Sequence, residues 1–197
     1  MTTPLTARDR AKAERTDAIL IAAAELFAAR GYSGVSLEDI GAAVGVSGPA
    51  VYRHFAGKQS LLGALLIGVS DDLVAGGAAV VRGQADERGR MALLVDFHVD
   101  FALRNADVIR VQDRDLSHLS DDSRADVRRL QRAYIELWID ALSALVRADR
   151  EELRLRVQAC FGLLNSTPHS TSTALRTRAA TARVLAAMAM AALTAGD

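Results

Sequence analysis

Ser36-Leu37-Glu38-Asp39-Ile40-Gly41-Ala42-Ala43-Val44-Gly45-Val46-Ser47-Gly48-Pro49-Ala50-Val51-Tyr52-Arg53-His54-Phe55-Ala56-Gly57-Lys58 is the stretch on which the fold turns. Serine at 36 can cap the free amides of a helix, and Glu38 and Asp39 suit the positive end of its dipole. Leu37, Ile40 and Val44 then share one face. Gly45 stops this short helix, and Ser47 caps another that holds Pro49 in its first turn, where proline is tolerated. Val51 and Phe55, four residues apart, point inward together, and Gly57 ends the unit. Two short helices thus share an apolar inner face with a glycine at the corner. The outer face of the second, Ser47 to His54, is left free.

Helical spacing continues on both sides. Upstream, Ile19, Ala22, Ala23, Leu26 and Phe27 form an apolar stripe on a first helix that stops at Gly31. Before it lies an arm with Arg8, Arg10, Lys12 and Arg15 against only Asp9 and Glu14. Downstream, Lys58 opens a longer fourth helix through Leu61, Leu62, Leu65, Leu66 and Val69, expected to fray near Gly76-Gly77 and to end in a loop over Gly83–Gly89. A fifth helix carries Leu93, Leu94, Phe97, Phe101 and Leu103, and a short sixth restarts at Asn105-Ala106-Asp107. After a polar break at Ser117–Ser123 comes a long helix with Leu130, Tyr134, Leu137, Trp138, Ala141, Leu142 and Leu145. Two more, Arg150–Asn165 and Ser172–Leu193, flank Ser166-Thr167-Pro168-His169. No segment alternates over a strand length, so the fold class is all-α.

Composition narrows the function. In 197 residues, half are apolar, and 24 basic side chains cancel 24 acidic ones. A nucleic-acid site must therefore be local. The single cysteine, Cys160, cannot close an intramolecular disulfide and is expected to be a buried small side chain. Met1-Thr2-Thr3-Pro4 lacks a signal-peptide core, and the longest uninterrupted apolar run, Val184–Leu193, is half a bilayer span. A cytoplasmic protein with no membrane partner is the expectation.

The helix-turn-helix at 36–55 carries the chemistry. Its second helix is free to enter a major groove, where Tyr52 and His54 can donate to phosphates and Arg53 can reach a phosphate or a guanine edge. Lys58 adds charge at a helix N-terminus. For an enzyme there is little: Asp96-Phe97-His98-Val99-Asp100 sits on a helix, where residues two apart point in different directions. HExxH, paired CxxC and a complete phosphate loop are all missing. No catalytic or metal-ligating residue is assigned and no cofactor is expected.

Phe27-Ala28-Ala29-Arg30-Gly31-Tyr32, Val35 to Gly41, Gly45 to Phe55, Lys58 and Leu61-Leu62 together resemble the N-terminal signature of the TetR family, nearly continuously over residues 15–66. The resemblance implies a nine-helix fold: a three-helix DNA-binding head, residues 1–57, on a ligand-binding and dimerisation body, residues 58–197. It implies a homodimeric transcription repressor on an inverted-repeat operator in double-stranded DNA. Ser36, Ser47, Tyr52, His54 and Lys58 would touch the DNA backbone, and Gly48, Pro49, Ala50 and Arg53 would lie closest to the bases. Dimer contacts would come from Leu153, Val157 and Leu164 on the eighth helix and Val184, Leu185 and Met188 on the ninth. His98, Phe101, Gln112, Tyr134, Trp138, Phe161 and Asn165 would line an effector pocket, and effector would shift the fourth helix to break the match to DNA.

Val108–Asp115, Tyr134–Leu142 and Cys160–Pro168 further resemble the actinobacterial branch that controls fatty-acid and steroid breakdown. That likeness implies an acyl-CoA thioester as effector, with a long apolar tunnel for the acyl chain and Arg104 or Arg110 meeting CoA phosphates. The alternatives are a DNA-binding regulator without a small-molecule effector and a helical enzyme.

Overall fold

A computed structural model describes residues 6–82 and 86–196. Eleven α-helices and one 3₁₀ turn account for its regular structure. They are α1 (Ala7–Arg30), α2 (Leu37–Ala43), α3 (Gly48–Tyr52), α4 (Lys58–Arg82), α5 (Glu87–Arg104), α6 (Ala106–Asp115), the 3₁₀ turn Leu116–His118, α7 (Asp121–Ser143), α8 (Arg150–Asn165), α9 (Thr167–Ser170), α10 (Thr173–Arg176) and α11 (Ala179–Leu193). Three boundaries differ from the sequence reading. The basic arm is already helical from Ala7, because Thr6 and Asp9 form a capping box. The last long helix begins at Ala179 rather than Ser172; two single-turn helices, α9 and α10, fill the connection before it.

The third difference is Gly76-Gly77, which do not fray α4. A Cβ at Gly76 would sit 2.4 Å from the Phe97 ring, and one at Gly77 2.8 Å from the Tyr134 ring. The missing side chains let α5 and α7 approach the α4 backbone, so the helix continues to Arg82. Of the expected loop over Gly83–Gly89, residues 83–85 lie outside the described residues, and α5 starts at Glu87 behind its cap Asp86.

Two apolar cores sit along α4. The first gathers Ile19, Ala23 and Phe27 of α1, Leu37 and Ile40 of α2, Val51 and Phe55 around α3, and Leu61, Leu62 and Leu66 of α4, closed by Val108 and Val111 of α6. The second joins Leu94 and Val95 of α5, Trp138 and Leu142 of α7, Val157 and Cys160 of α8, and Leu193 of α11. By length and composition alone α4 matches a bilayer-crossing helix. Leu61, Leu62, Leu65 and Leu66 instead fill the first core, and Leu73 packs against the second. Cys160 is fully buried, and burial pushes its thiol up to about 12.

Candidate DNA-binding face and effector cavity

The corner between α2 and α3 is set by three glycines. Gly45 adopts φ +70°, a left-handed conformation that a side chain disfavours. Gly41 is buried, and its carbonyl accepts from Val46 N at 2.9 Å. A Cβ at Gly41 would lie 2.8 Å from the Val46 carbonyl oxygen and 3.3 Å from Gly48 N. Gly48 is buried as well, with a Cβ position 3.0 Å from Glu38 Oε1. Gly48 therefore packs α3 against α2, and the expectation that it lies closest to the bases is corrected. A Cβ there would meet only the exposed Glu38 side chain, which would have to give way.

The remaining residues of the face divide by how much of their hydrogen bonding the fold already uses. Ser47 stands at the N-cap of α3 but makes no side-chain cap bond, contrary to the cap expected of it, and its hydroxyl has no partner among the described residues. Tyr52 is 54% exposed, and Pro49 and Arg53 are exposed beside it. Ala50 is half-buried. Ser36 donates to Asp39 Oδ2 at 2.7 Å and accepts from Asp39 N at 3.0 Å, closing the capping box of α2. The Ser36 backbone amide also donates to Asp39 Oδ2 at 2.8 Å, and this bond first, with that from the Ser36 hydroxyl, holds the Asp39 carboxyl below its ordinary value.

His54 and Lys58 hold the head together. Thr16 Oγ1 donates to Lys12 O at 3.0 Å, so His54 Nδ1, 2.9 Å from the same oxygen, is the donor of that pair. A neutral His54 then presents only a lone pair at Nε2, and it can donate to a phosphate only as imidazolium. Lys58 Nζ donates to Tyr32 O and Val35 O, both at 2.7 Å, and lies 4.4 Å from the Tyr32 ring centroid. Two of its three ammonium protons are thus used within the head. Arg8, Arg10 and Lys12 are exposed on the first turns of α1. Sequence reasoning saw these charges but could not see that half of the motif's polar groups serve the head itself.

A half-open cavity of about 190 Å³ lies beside the second core, walled by α4, α5, α6, α7 and α8. Five expected residues line it: His98, Gln112, Tyr134, Phe161 and Asn165. Ser70, Leu73, Gln131 and Ile135 also do so and were not anticipated, because nothing in their spacing separates a cavity wall from a core face. Two expected residues do not. Trp138 is 0% exposed behind Phe161, their ring centroids 4.8 Å apart. Phe101 borders a separate cavity of about 230 Å³ with Val69, Asp72 and Phe97 instead.

Nor is the cavity a long apolar tunnel. Six of its nine lining side chains carry polar atoms, set into a wall whose surface is mostly apolar. Arg104 pairs with Asp100 at 2.7 Å, and Arg110 is held by Asp107 and the Pro168 carbonyl. Neither arginine lines the cavity.

His98 is the polar centre. Its Nε2–H donates to Asn165 Oδ1 at 3.1 Å, and Tyr134 donates its hydroxyl to Nδ1 at 3.3 Å. Phe161 stacks on the imidazole at 4.6 Å. Burial lowers its pKa from 6.5 to about 4, offset in part by the bond to Asn165, so the ring is neutral at pH 7. The unfolded chain takes up this proton below about pH 6.5, the folded chain only near 4. The stability contributed is therefore complete above pH 6.5 and is lost as pH falls toward 4, at most about 3 kcal/mol. A melting series from pH 7 to 4.5 should show this loss in wild type and a flatter profile in His98→Gln. Equal slopes would exclude His98 as the sensor.

The cavity and the head are joined through α6. Gln112 faces the cavity, and two residues on Arg114 donates to the Phe27 and Ala28 carbonyls at the end of α1. Arg114 also pairs with Asp115, 2% exposed, at 3.0 Å. Beyond α6, His118 stacks on Tyr32 at 4.5 Å, and Gln59 donates to the His118 carbonyl.

The outer faces of α8 and α11 correct the expected dimer contacts. Leu153, Val157 and Leu164 are 3%, 0% and 0% exposed, inside the subunit core. Their spacing gave one apolar stripe of α8, which packs inward; the other carries Leu155, 65% exposed, with Ala159 and Gly162. On α11, Val184 and Met188 are 57% and 50% exposed, and Leu185 is half-buried against the core. Leu155, Ala159, Gly162, Val184 and Met188 thus form an apolar face on two neighbouring helices.

A recognition helix on a two-helix corner, joined to a helical body with an internal cavity, defines a helix-turn-helix transcription regulator. Residues 19–65 match the signature described as bacterial regulatory proteins, tetR family, and residues 84–169 match the tetracyclin repressor-like C-terminal domain. The chain belongs to the TetR family.

Among its relatives is the HTH-type transcriptional repressor KstR2 of Rhodococcus jostii, 27% identical over 168 residues, which are 85% of this chain and 82% of that one. The crystal structure of a TetR-family regulator from Bordetella parapertussis superposes with a TM-score of 0.81 at 26% identity, covering 92% of this chain and 94% of that one. AibR, solved with isovaleryl coenzyme A and operator DNA, superposes with a TM-score of 0.73 at 21% identity, covering 90% and 96%.

Proposed function

We propose that this chain is a cytoplasmic repressor that binds an inverted-repeat operator as a homodimer and is released when a small molecule fills the cavity. The division of labour falls at residue 57, with DNA recognition before it and effector binding and dimerisation after it. One observation carries the reading: α6 puts Gln112 in the cavity and Arg114 on the end of α1, so one rigid helix touches both the effector site and the DNA head. An effector that prefers a shifted α6 draws the two α3 helices out of register with successive major grooves. The AibR complex makes an acyl thioester the first effector class to try.

At the DNA, Tyr52 and Ser47 serve the phosphates, and Arg53 reads a base edge beside Pro49 and Ala50. The test is fluorescence anisotropy on DNA from the chain's own upstream intergenic region across a salt series. Wild type should bind with a steep salt dependence. Tyr52→Ala and Arg53→Ala should each weaken binding by roughly tenfold to a hundredfold. Salt-independent binding that both substitutions leave intact would overturn the assignment of this face.

The apolar face of α8 and α11 is proposed as the dimer contact, since a stripe of this size facing water marks a partner surface. Replacing Val184 and Met188 with glutamate should give a monomer by light scattering, with operator affinity falling at least a hundredfold. A variant that remains dimeric would move the interface elsewhere.

A further inference from the structure

We infer, granting the effector reading above, that the cavity is built for a short acyl or ring group carrying its own oxygen or nitrogen substituents, not for a long saturated chain. Size is the first ground. At about 190 Å³ the cavity is little larger than the roughly 150 Å³ engineered void that holds one benzene. A five-carbon acyl group fits such a space; an eighteen-carbon one needs several times as much.

Chemistry is the second ground. His98 bonds both Tyr134 and Asn165 Oδ1, and Ser70 donates to the Leu66 carbonyl at 2.7 Å, while Asn165 Nδ2 has no hydrogen-bond partner among the described residues. Gln112 on α6 and Gln131 on α7 face the same cavity from two helices, and neither amide has a hydrogen-bond partner among the described residues. An alkyl chain would strip water from both amides and return nothing. A hydroxyl, keto or amide group would satisfy them, an advantage of roughly tenfold or more for each bond made.

No Asp, Glu, Lys or Arg lines the cavity, so the enclosed part of the effector is uncharged. A charged remainder has a place outside. Gln131 also borders a second depression with Leu116, Ser117, Arg124 and Arg128, and Arg128 has no ion pair among the described residues. The polar group matters most at Gln112, because that side chain belongs to the helix that grips the head.

The chain's single tryptophan, Trp138, packs edge-on against Phe161 in the cavity wall and reports occupancy by its fluorescence. Wild type and Gln112→Leu/Gln131→Leu would be titrated with isovaleryl-CoA, 3-hydroxyisovaleryl-CoA and stearoyl-CoA. Benzamide and its apolar isostere α-methylstyrene would be run beside them as probes without CoA. Wild type should favour the hydroxylated thioester at least tenfold over the plain one, reject stearoyl-CoA, and favour benzamide over its isostere. The double variant should bring both ratios near one, with each single variant in between. If no thioester binds but benzamide is still preferred through the two glutamines, the thioester class falls and the polar, compact site stands.

Stearoyl-CoA binding as tightly as the short thioesters would overturn the inference. So would ratios that survive in the variant, or no response to any probe. DNA release is scored separately, by operator anisotropy. Binding with the expected selectivity but no release would overturn the effector reading and leave the selectivity intact.

Discussion

Gly41→Val is expected to abolish specific operator binding while leaving effector binding to the body in place. The reason is steric and local. A Cβ at position 41 would meet the Val46 carbonyl oxygen at 2.8 Å, the Ser47 carbonyl carbon at 3.2 Å and Gly48 N at 3.3 Å. All three are backbone atoms, so no rotamer change can relieve the contact. The chain must push α3 away from α2, breaking the Val46 N to Gly41 O bond and drawing Val51 out of the first core. Overpacking of this kind costs about 1–3 kcal/mol, and the β-branch of valine puts it at the upper end. Because α3 is only five residues long, a displacement of an ångström carries Tyr52 and Arg53 out of the groove together. Operator anisotropy should show a loss of a hundredfold or more, with the non-specific salt-dependent component retained. Gly41→Ala should fall between the two. Unchanged operator affinity in the valine variant would mean that α3 does not set the DNA contact.

The second large effect is expected at Arg114. Its guanidinium holds the Phe27 and Ala28 carbonyls at the open end of α1 and neutralises Asp115, whose side chain is 4% exposed. Arg114→Ala leaves that carboxylate buried without a partner. For a fully buried pair this costs about 3–5 kcal/mol, and the half-exposed guanidinium reduces it to about 2–3. Arg114→Ala/Asp115→Asn should recover most of the melting temperature, since no charge is then stranded. It should not recover coupling. Effector should bind the double variant with near wild-type affinity, read from Trp138, yet shift operator affinity by less than a third of its wild-type effect. A double variant with full effector response would show that α6 signals to the head by another contact, the His118–Tyr32 stack being the next candidate.

Much of this is legible in the sequence. The all-helical class, the corner at Gly45 and the inward Val51 and Phe55 follow from spacing and capping alone, because the helical period and the cap residues are local properties. What stayed hidden depended on neighbours far along the chain. Leu153, Val157 and Leu164 read as an interface because an apolar stripe does not say whether it packs within a subunit or between two. Gly48 read as a base-facing position because its service to Glu38 is a tertiary contact. Lys58 and His54 carry the right charges for phosphate, but their bonds run to Tyr32, Val35 and Thr16, up to 38 residues away. In the cavity the family resemblance led to His98, Gln112, Tyr134, Phe161 and Asn165, while Phe101 and Trp138, expected with them, lie elsewhere. Gln131 and Ser70 were not anticipated, since single polar residues on an apolar face carry no periodic signal.

The sharing of α4 between the two cores bears on how such regulators can be recombined. Leu61, Leu62, Leu65 and Leu66 pack with the head, Gly76 and Gly77 with the body, and Val108 and Val111 of α6 close the head core from the far side. A chimera cut at residue 57 to transplant a new DNA specificity would splice through the middle of a packed interior and mismatch both halves. The exchangeable unit is larger than the motif: it runs through Ser70 and must bring a matching inner face of α6. On the proposed function, operator preference and effector response are thus inherited less independently than the two-part sequence signature suggests.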